Sequence, residues 1–214
     1  MQKKNTNYNK MAPFYNVITN LISEGGNIRS QRYFLPYINE NDKVLNIGCG
    51  SVQFNVDIAK KSKNVTSIDI ASKMIDIAKK NVTKKNLDHR VKFICNDIMK
   101  HTVEKKYDVI LVNFMLNTFE WEYAKEVLAY ICGLLQEEGI LCIADEHVAT
   151  KPLHKLFQNL FRPSISWIHH IWAGHPIHNI YDYYPVMKTY GYDRVKYKID
   201  KSNVISSSIF KKIK

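Results

Sequence analysis

Apolar residues along this chain recur in two rhythms, and the rhythms alternate. KVLNI (43–47), VTSID (65–69), VKFIC (91–95), YDVILV (107–112) and ILCIAD (140–145) are short, rich in β-formers and often apolar throughout. Runs of that kind belong to strands covered on both faces, the usual state of a parallel sheet. Between them the spacing changes to threes and fours. Ser72 to Lys85 carries Met74, Ile75, Ala78 and Val82, and Glu120 to Leu135 carries Ala124, Val127, Leu128, Ile131, Leu134 and Leu135. Each set shares one side of a helix. Strands alternating with helices through short loops predict an α/β, doubly wound, mostly parallel sheet. Such a sheet holds its ligand beyond the carboxyl ends of the strands, at the point where strand order reverses.

After Asp145 the texture changes. PLHKLFQNLFRP carries Leu153, Leu156, Phe157, Leu160 and Phe161, an i, i+3, i+4, i+7, i+8 stripe. Pro163 is expected to end that helix, and SISWIHHIW continues with Ile165, Ile168, Ile171 and Trp172. The expectation for the leucines is packing on the sheet as core; the alternative is a greasy lid that admits an isoprenoid or acyl tail. DRVKYKID (193–200) and NVISSSIFKKI (203–213) read as two strands joined by the turn KSN, a link short enough to force them antiparallel. No repeat or linker divides the chain, so residues 1–214 are expected to form one domain. Residues 1–40 supply N-terminal helices and residues 150–190 a helical cap after strand five.

Composition narrows the class. With 214 residues, 45% of them hydrophobic and 12% aromatic, the chain can bury a sizeable core. No run approaches the roughly 18 apolar residues that span a bilayer. The start, MQKKNTNYNK, lacks the apolar core of a secretory signal, so a cytoplasmic setting is expected. Cys49, Cys95, Cys132 and Cys142 show no metal-ligand spacing and are expected to be buried free thiols, with no metal site. Charge is uneven. Residues 1–146 hold 20 Lys/Arg against 17 Asp/Glu, whereas residues 147–214 hold 11 against 3 and six of the eight histidines. An excess of that kind suits an acidic partner surface, anionic lipid or nucleic acid. The bland alternative is lysine drift, since 26 of the 31 basic residues are lysine.

The chemistry starts at VLNIGCGSVQFN (44–55). Gly48 and Gly50 let the chain turn sharply after strand one and approach a ligand closely. About twenty residues on, VTSIDI ends strand two with Asp69, where a carboxylate can accept from ribose hydroxyls; the alternative is an acid capping the next helix, a role Ser72 could fill instead. ICNDIM ends strand three with Asn96 and Asp97, in reach of an adenine edge. Glycines, acid and acid at three successive strand ends are far more specific together than apart.

These residues resemble the class I S-adenosyl-L-methionine-dependent methyltransferases over essentially the whole chain. The ordered matches are VLNIGCG, VTSIDIASKMIDIAKKN, VKFICNDIM, YDVILVNFMLN and LLQEEGILCIADEH. The resemblance implies a Rossmann-like, seven-stranded sheet whose antiparallel last strand is inserted. YNKMAPFYNVITNLIS, the stretch from FMLN to KPLHKLF, and YGYDRVKYK look most like the quinone C-methyltransferases of ubiquinone and menaquinone biosynthesis. It further implies that Gly48, Cys49 and Gly50 line the methionine and ribose of the cofactor. Asp69 would hold the ribose diol, Ile70 and Ile98 would pack on the two faces of the adenine, and Met74 would also bind the cofactor. Asp97 would accept from the adenine amino group, Asn113 would sit near the methionine, and Tyr15 would close over the sulfonium. Two positions depart from the family. Asn46 stands where an acid is common, and losing the charge weakens a contact to the methionine amino group by about 1 kcal/mol. Val52 stands where a third glycine is common and is strained if the position needs φ > 0.

Methyl transfer to a quinol needs a base as well as placement. His147, directly after strand five, is the candidate, with Glu146 as the alternative; His175 and His178 could line a substrate pocket, and His169 and His170 read as helix surface. The expected acceptor is a small lipophilic molecule such as a quinol. Alternatives are a phospholipid amine, a soluble metabolite, or cofactor binding without methyl transfer. Peripheral contact with anionic membrane through residues 150–214 is the expected partner surface. Nucleic acid is disfavoured because NFML replaces the catalytic tetrapeptide of nucleobase methyltransferases after strand four.

Overall fold

The computed structural model describes residues 25–50, 52–103, 106–173 and 176–213. Tyr15, His175 and the helices expected before residue 25 lie outside them. Among the described residues β1 (Lys43–Ile47), β2 (Asn64–Asp69), β3 (Val91–Cys95), β4 (Tyr107–Asn113), β5 (Leu135–Glu146), β6 (Tyr192–Ile199) and β7 (Ile205–Lys212) form one sheet, ordered β3-β2-β1-β4-β5-β7-β6. The first five strands pair parallel, and β7 lies antiparallel between β5 and β6. The expected doubly wound sheet with an inserted antiparallel last strand is therefore present. Strand order reverses between β1 and β4, which opens a crevice at their carboxyl ends.

The helices are α1 (Gly26–Arg32), α2 (Val52–Lys61), α3 (Ser72–Thr83), α4 (Trp121–Gly133), α5 (Pro152–Ala173) and α6 (Tyr184–Thr189). Alternation along the strands sends Leu45, Ile110 and Val112 to one face, where Val127, Leu128 and Ile131 of α4 meet them. Val44, Val109 and Leu111 point to the other, against Phe54 and Ile58 of α2. Both faces are covered, which is why the strand sequences are almost continuously apolar.

Three expectations need correction. The helix expected to end at Pro163 runs through it, from Pro152 to Ala173. An internal proline loses one hydrogen bond and crowds the preceding turn, about 3 kcal/mol, yet it is one position among 22 in this helix. The leucines of that helix are not core: Leu153, Leu156 and Leu160 are 62%, 56% and 60% exposed. Gln158 and Arg162, on the opposite side, are the residues that hold it to the body, so the stripe faces outward. Third, Cys95 is exposed rather than buried, because it ends β3 at the open edge of the sheet; the four cysteines are free, Cys49 and Cys142 are buried and Cys132 is partly so. Among the described residues no helix is long and apolar enough to cross a membrane, and no His/Cys/Asp/Glu cluster could hold a metal.

Candidate active site

The turn after β1 is built around one left-handed residue. Gly48 has φ +72°, and its N–H bonds the Ile68 carbonyl at 2.9 Å. A Cβ added there would lie 3.6 Å from Met115, ordinary contact, so backbone conformation rather than space demands glycine. Val52 begins α2 and so takes helical backbone, which a β-branched residue adopts without strain. Asn46 is buried at 2% exposure, and its Nδ2 donates to Asn55 Oδ1 at 3.1 Å. Asn55 in turn donates to the Cys49 carbonyl at 2.9 Å and accepts from Ser67 Oγ at 2.9 Å. The departure at position 46 thus has a physical account. Its neighbour presents an acceptor oxygen, so a donating amide fits where a carboxylate would face another oxygen. Asn46 Oδ1 is buried with no partner among the described residues.

Asp69 closes β2. Burial raises its pKa, while bonds from the Ala71 and Cys49 backbone and from the Cys49 thiol pull it back. The Ala71 N–H reaches Oδ1 at 2.8 Å, and Ala71, not Ser72, holds the position that precedes α3, with no side-chain cap. Asp69 therefore does hold the entry to the helix. The Cys49 thiol is pushed well up by burial and by the Asp69 charge, so it stays protonated. Ile70, beside Asp69, is 59% exposed, whereas Ile98 and Met74 are buried. Asp97 closes the β3 end and accepts from the Met99 N–H at 3.0 Å. Asn113 ends β4, is 6% exposed, and has no partner among the described residues at either side-chain atom. The next residue, Phe114, has φ +51°, a conformation that costs a bulky side chain of order 1–3 kcal/mol. Strain and unpaired polar atoms coincide at this turn, beside Gly48.

A second group lies beyond β5. His147 lines a cleft of about 250 Å³ with Asp145, Tyr181, Tyr184, Arg194 and Tyr197 among its walls. Its Nδ1 lies 3.1 Å from the Tyr197 hydroxyl, and its Nε2 is buried without a partner among the described residues. Burial lowers the His147 pKa, with Asp182 opposing and Arg194 reinforcing that effect. Arg194 lies between two rings, 4.4 Å from the Tyr184 centroid and 4.2 Å from that of Tyr197. Glu146, the alternative base, is instead engaged by Arg162 at 3.0 Å. His178 reaches the Asn117 carbonyl at 2.7 Å and stacks on Tyr181, so it ties the cap to the loop after β4. His170 is exposed, as expected, and the His169 side chain lies outside what the structure describes.

Sequence reasoning missed one pair. Asp145 is fully buried and accepts from the Tyr183 hydroxyl at 2.7 Å. Burial and the neighbouring Glu146 raise its pKa to about 7, against the bonds from Tyr183 and the Glu146 and Asn117 backbone. The available signal was a lone acid closing the apolar run ILCIAD. Nothing in YDYYPVMK marked Tyr183 over its neighbours.

This strand order, with a glycine turn after β1 and acids closing β2 and β3, defines a class I methyltransferase domain that uses S-adenosyl-L-methionine. The chain belongs to the family described as "Methyltransferase domain", whose model matches residues 38–188. Two curated relatives are both named malonyl-[acyl-carrier protein] O-methyltransferase. The protein from Bacillus cereus is 32% identical over 54% of this chain and 42% of its own length. That from Priestia megaterium is 37% identical over 40% of this chain and 29% of its own. The chain thus spans less than half the length of either. Among solved structures, the N-methyltransferase NodS of Bradyrhizobium japonicum with S-adenosylhomocysteine has a TM-score of 0.58 at 16% identity, covering 82% of this chain and 80% of that one. The 1,6-didemethyltoxoflavin-N1-methyltransferase of Burkholderia thailandensis has 0.67 at 12%, covering 96% and 87%. The quinone subgroup suggested by the sequence is not what these names support. The residues present fit the cofactor: Asn46 and Asn113 offer unpaired polar atoms at the crevice, and Ile70 offers an exposed apolar surface beside Asp69.

Proposed function

We propose that this chain methylates a small lipophilic acceptor carrying an ionisable hydroxyl, of the quinol type, with His147 as general base. His147 carries the proposal. Its Nε2 is buried, unpaired and beside an aromatic-walled cleft, and its lowered pKa keeps the ring neutral near pH 7. In the tautomer that carries its proton on Nδ1, hydrogen-bonded to the Tyr197 hydroxyl oxygen, Nε2 is the basic nitrogen that would take the acceptor's proton. Asn46, Gly48, Cys49, Gly50, Asp69, Ile70, Met74, Asp97, Ile98 and Asn113 are proposed to hold S-adenosyl-L-methionine. When bound, the cofactor supplies an electrophilic methyl group on sulfur. The protein's part is to orient the acceptor, exclude water and take up its proton. The proposed setting is cytoplasmic, at a lipid surface.

A second reading is favoured by Arg194 in the same cleft and by the names of the curated relatives: a carboxylate carried on an acyl carrier protein. The test begins with calorimetric titration of S-adenosylhomocysteine into the wild type and Asp69→Ala. Binding that the variant loses supports the cofactor assignment, and no binding to the wild type would overturn it. Labelled-methyl transfer to a demethylated quinol in detergent and to malonyl-acyl carrier protein then separates the acceptors. His147→Ala is expected to lose roughly a hundredfold in kcat without changing cofactor affinity. Because the His147 pKa lies below the ordinary histidine value, wild-type activity should rise with pH through that lowered value and be flat above it.

A further inference from the structure

Helix α5 is mounted inside out. Leu156, Phe157, Leu160, Phe161, Trp167 and Ile171 are each between 51% and 63% exposed. At 100° per residue they share one stripe with Leu153. The opposite, polar side meets the body. Gln158 donates to the His147 carbonyl at 2.7 Å and accepts from the Ala149 N–H at 2.9 Å. Arg162 bonds Glu146 and the His178 carbonyl at 3.0 and 2.9 Å. An apolar stripe of this size on a water-facing helix marks an interaction surface.

The chemistry around the stripe selects the partner. No Asp or Glu occurs in Pro152–Ala173, while Lys155, Arg162 and three histidines do. Lys151 and Lys155 are exposed at the start of the helix, and residues 147–214 carry 11 Lys/Arg against 3 Asp/Glu. A second copy would bring the same positive charge against it. A helix with one broad apolar face, aromatic rings on that face and no acidic residue, in a strongly basic segment, is built to lie in an anionic lipid headgroup layer.

We propose that the outward face of α5 docks this protein onto an anionic lipid surface. The helix lies in the interface with Leu156, Phe157, Leu160 and Trp167 among the acyl chains, and the net positive charge of residues 147–214 draws it to the anionic headgroups. Gln158 and Arg162 grip the segment that carries His147, so docking sets the acceptor cleft beside the layer where a lipophilic acceptor dissolves. The proposal rests on the lipophilic-acceptor reading for its purpose, but not for its test.

Flotation with vesicles of phosphatidylcholine and phosphatidylglycerol, against pure phosphatidylcholine, measures it. The expected result is association with the anionic vesicles, weakened by salt and by roughly tenfold or more in Leu160→Glu. The milder Leu156→Ser/Leu160→Ser pair should weaken it in the same direction, with S-adenosylhomocysteine affinity unchanged in both. Absence of association, or association that neither variant alters, would overturn the proposal. So would a wild-type dimer, seen by light scattering, that Leu160→Glu dissolves. Vesicle binding without any S-adenosylhomocysteine binding would support the docking face and sink the methyl-transfer reading instead.

Discussion

Two helices with similar sequence patterns have opposite fates in this molecule. In α4 the apolar positions Ala124, Val127, Leu128 and Ile131 are all at 0% exposure, pressed on β4 and β5. In α5 the equally regular stripe lies in solvent, and the polar side makes the contacts. Periodicity states that a helix has an apolar face; it does not state which way that face turns. The two helices differ in the polar side. That of α4 has Glu122 and Lys125, which pair with each other on the surface. That of α5 has Gln158 and Arg162, with partners waiting at His147, Glu146 and His178. Where a polar face finds buried acceptors on the body, it can outcompete an apolar face for the inward position.

The contrast can be broken by stability measurements. Leu128→Ala in α4 should cost about 2–5 kcal/mol in urea unfolding, and Leu160→Ala in α5 no more than about 0.5 kcal/mol. Comparable losses at the two sites would mean that α5 buries its stripe after all. A middling effect is expected where polar groups rather than apolar ones are packed inward. Asn46→Asp sets a carboxylate against Asn55 Oδ1 and should destabilise the cofactor-free protein by about 1–3 kcal/mol. A stabilised Asn46→Asp variant would show that the position answers to the ligand and not to Asn55. A modest effect is expected at the bidentate pair that ties α1 to the β6–β7 hairpin, Arg29 to Asp200 at 2.9 and 2.7 Å. Burial opposes ionisation of Asp200, but Arg29 and Ser202 hold its pKa down to about 2. Its contribution is therefore present above the ordinary carboxylate value and lost as pH falls from there towards about 2. Asp200→Asn should cost about 1 kcal/mol at neutral pH and flatten that acid limb; an unchanged acid limb would show that the pair does not couple to folding.

Much of the fold was legible because its signals are local. KVLNI, VTSID and YDVILV are apolar on both faces, and a three-residue link between the last two strands leaves only antiparallel pairing. The acids at positions 69 and 97 were legible for the same reason, since each closes a strand. What escaped depends on partners far apart in sequence. Asn46 looked like a weakened acid until Asn55 and Ser67 were beside it. Asp145 looked like a strand end until Tyr183, 38 residues away, bonded it. Pro163 looked like a terminator because the local penalty is real, and only the turns on both sides show that it is absorbed.

The position of β7 has a consequence for how the molecule is made. β5 pairs on one side with β4 and on the other with residues 205–212. While the ribosome is still adding those residues, β5 has an open, apolar edge, which is a template for pairing with another chain. Pairing of β5 with β7 is a long-range event, and until residues 205–212 arrive the edge of β5 stays open.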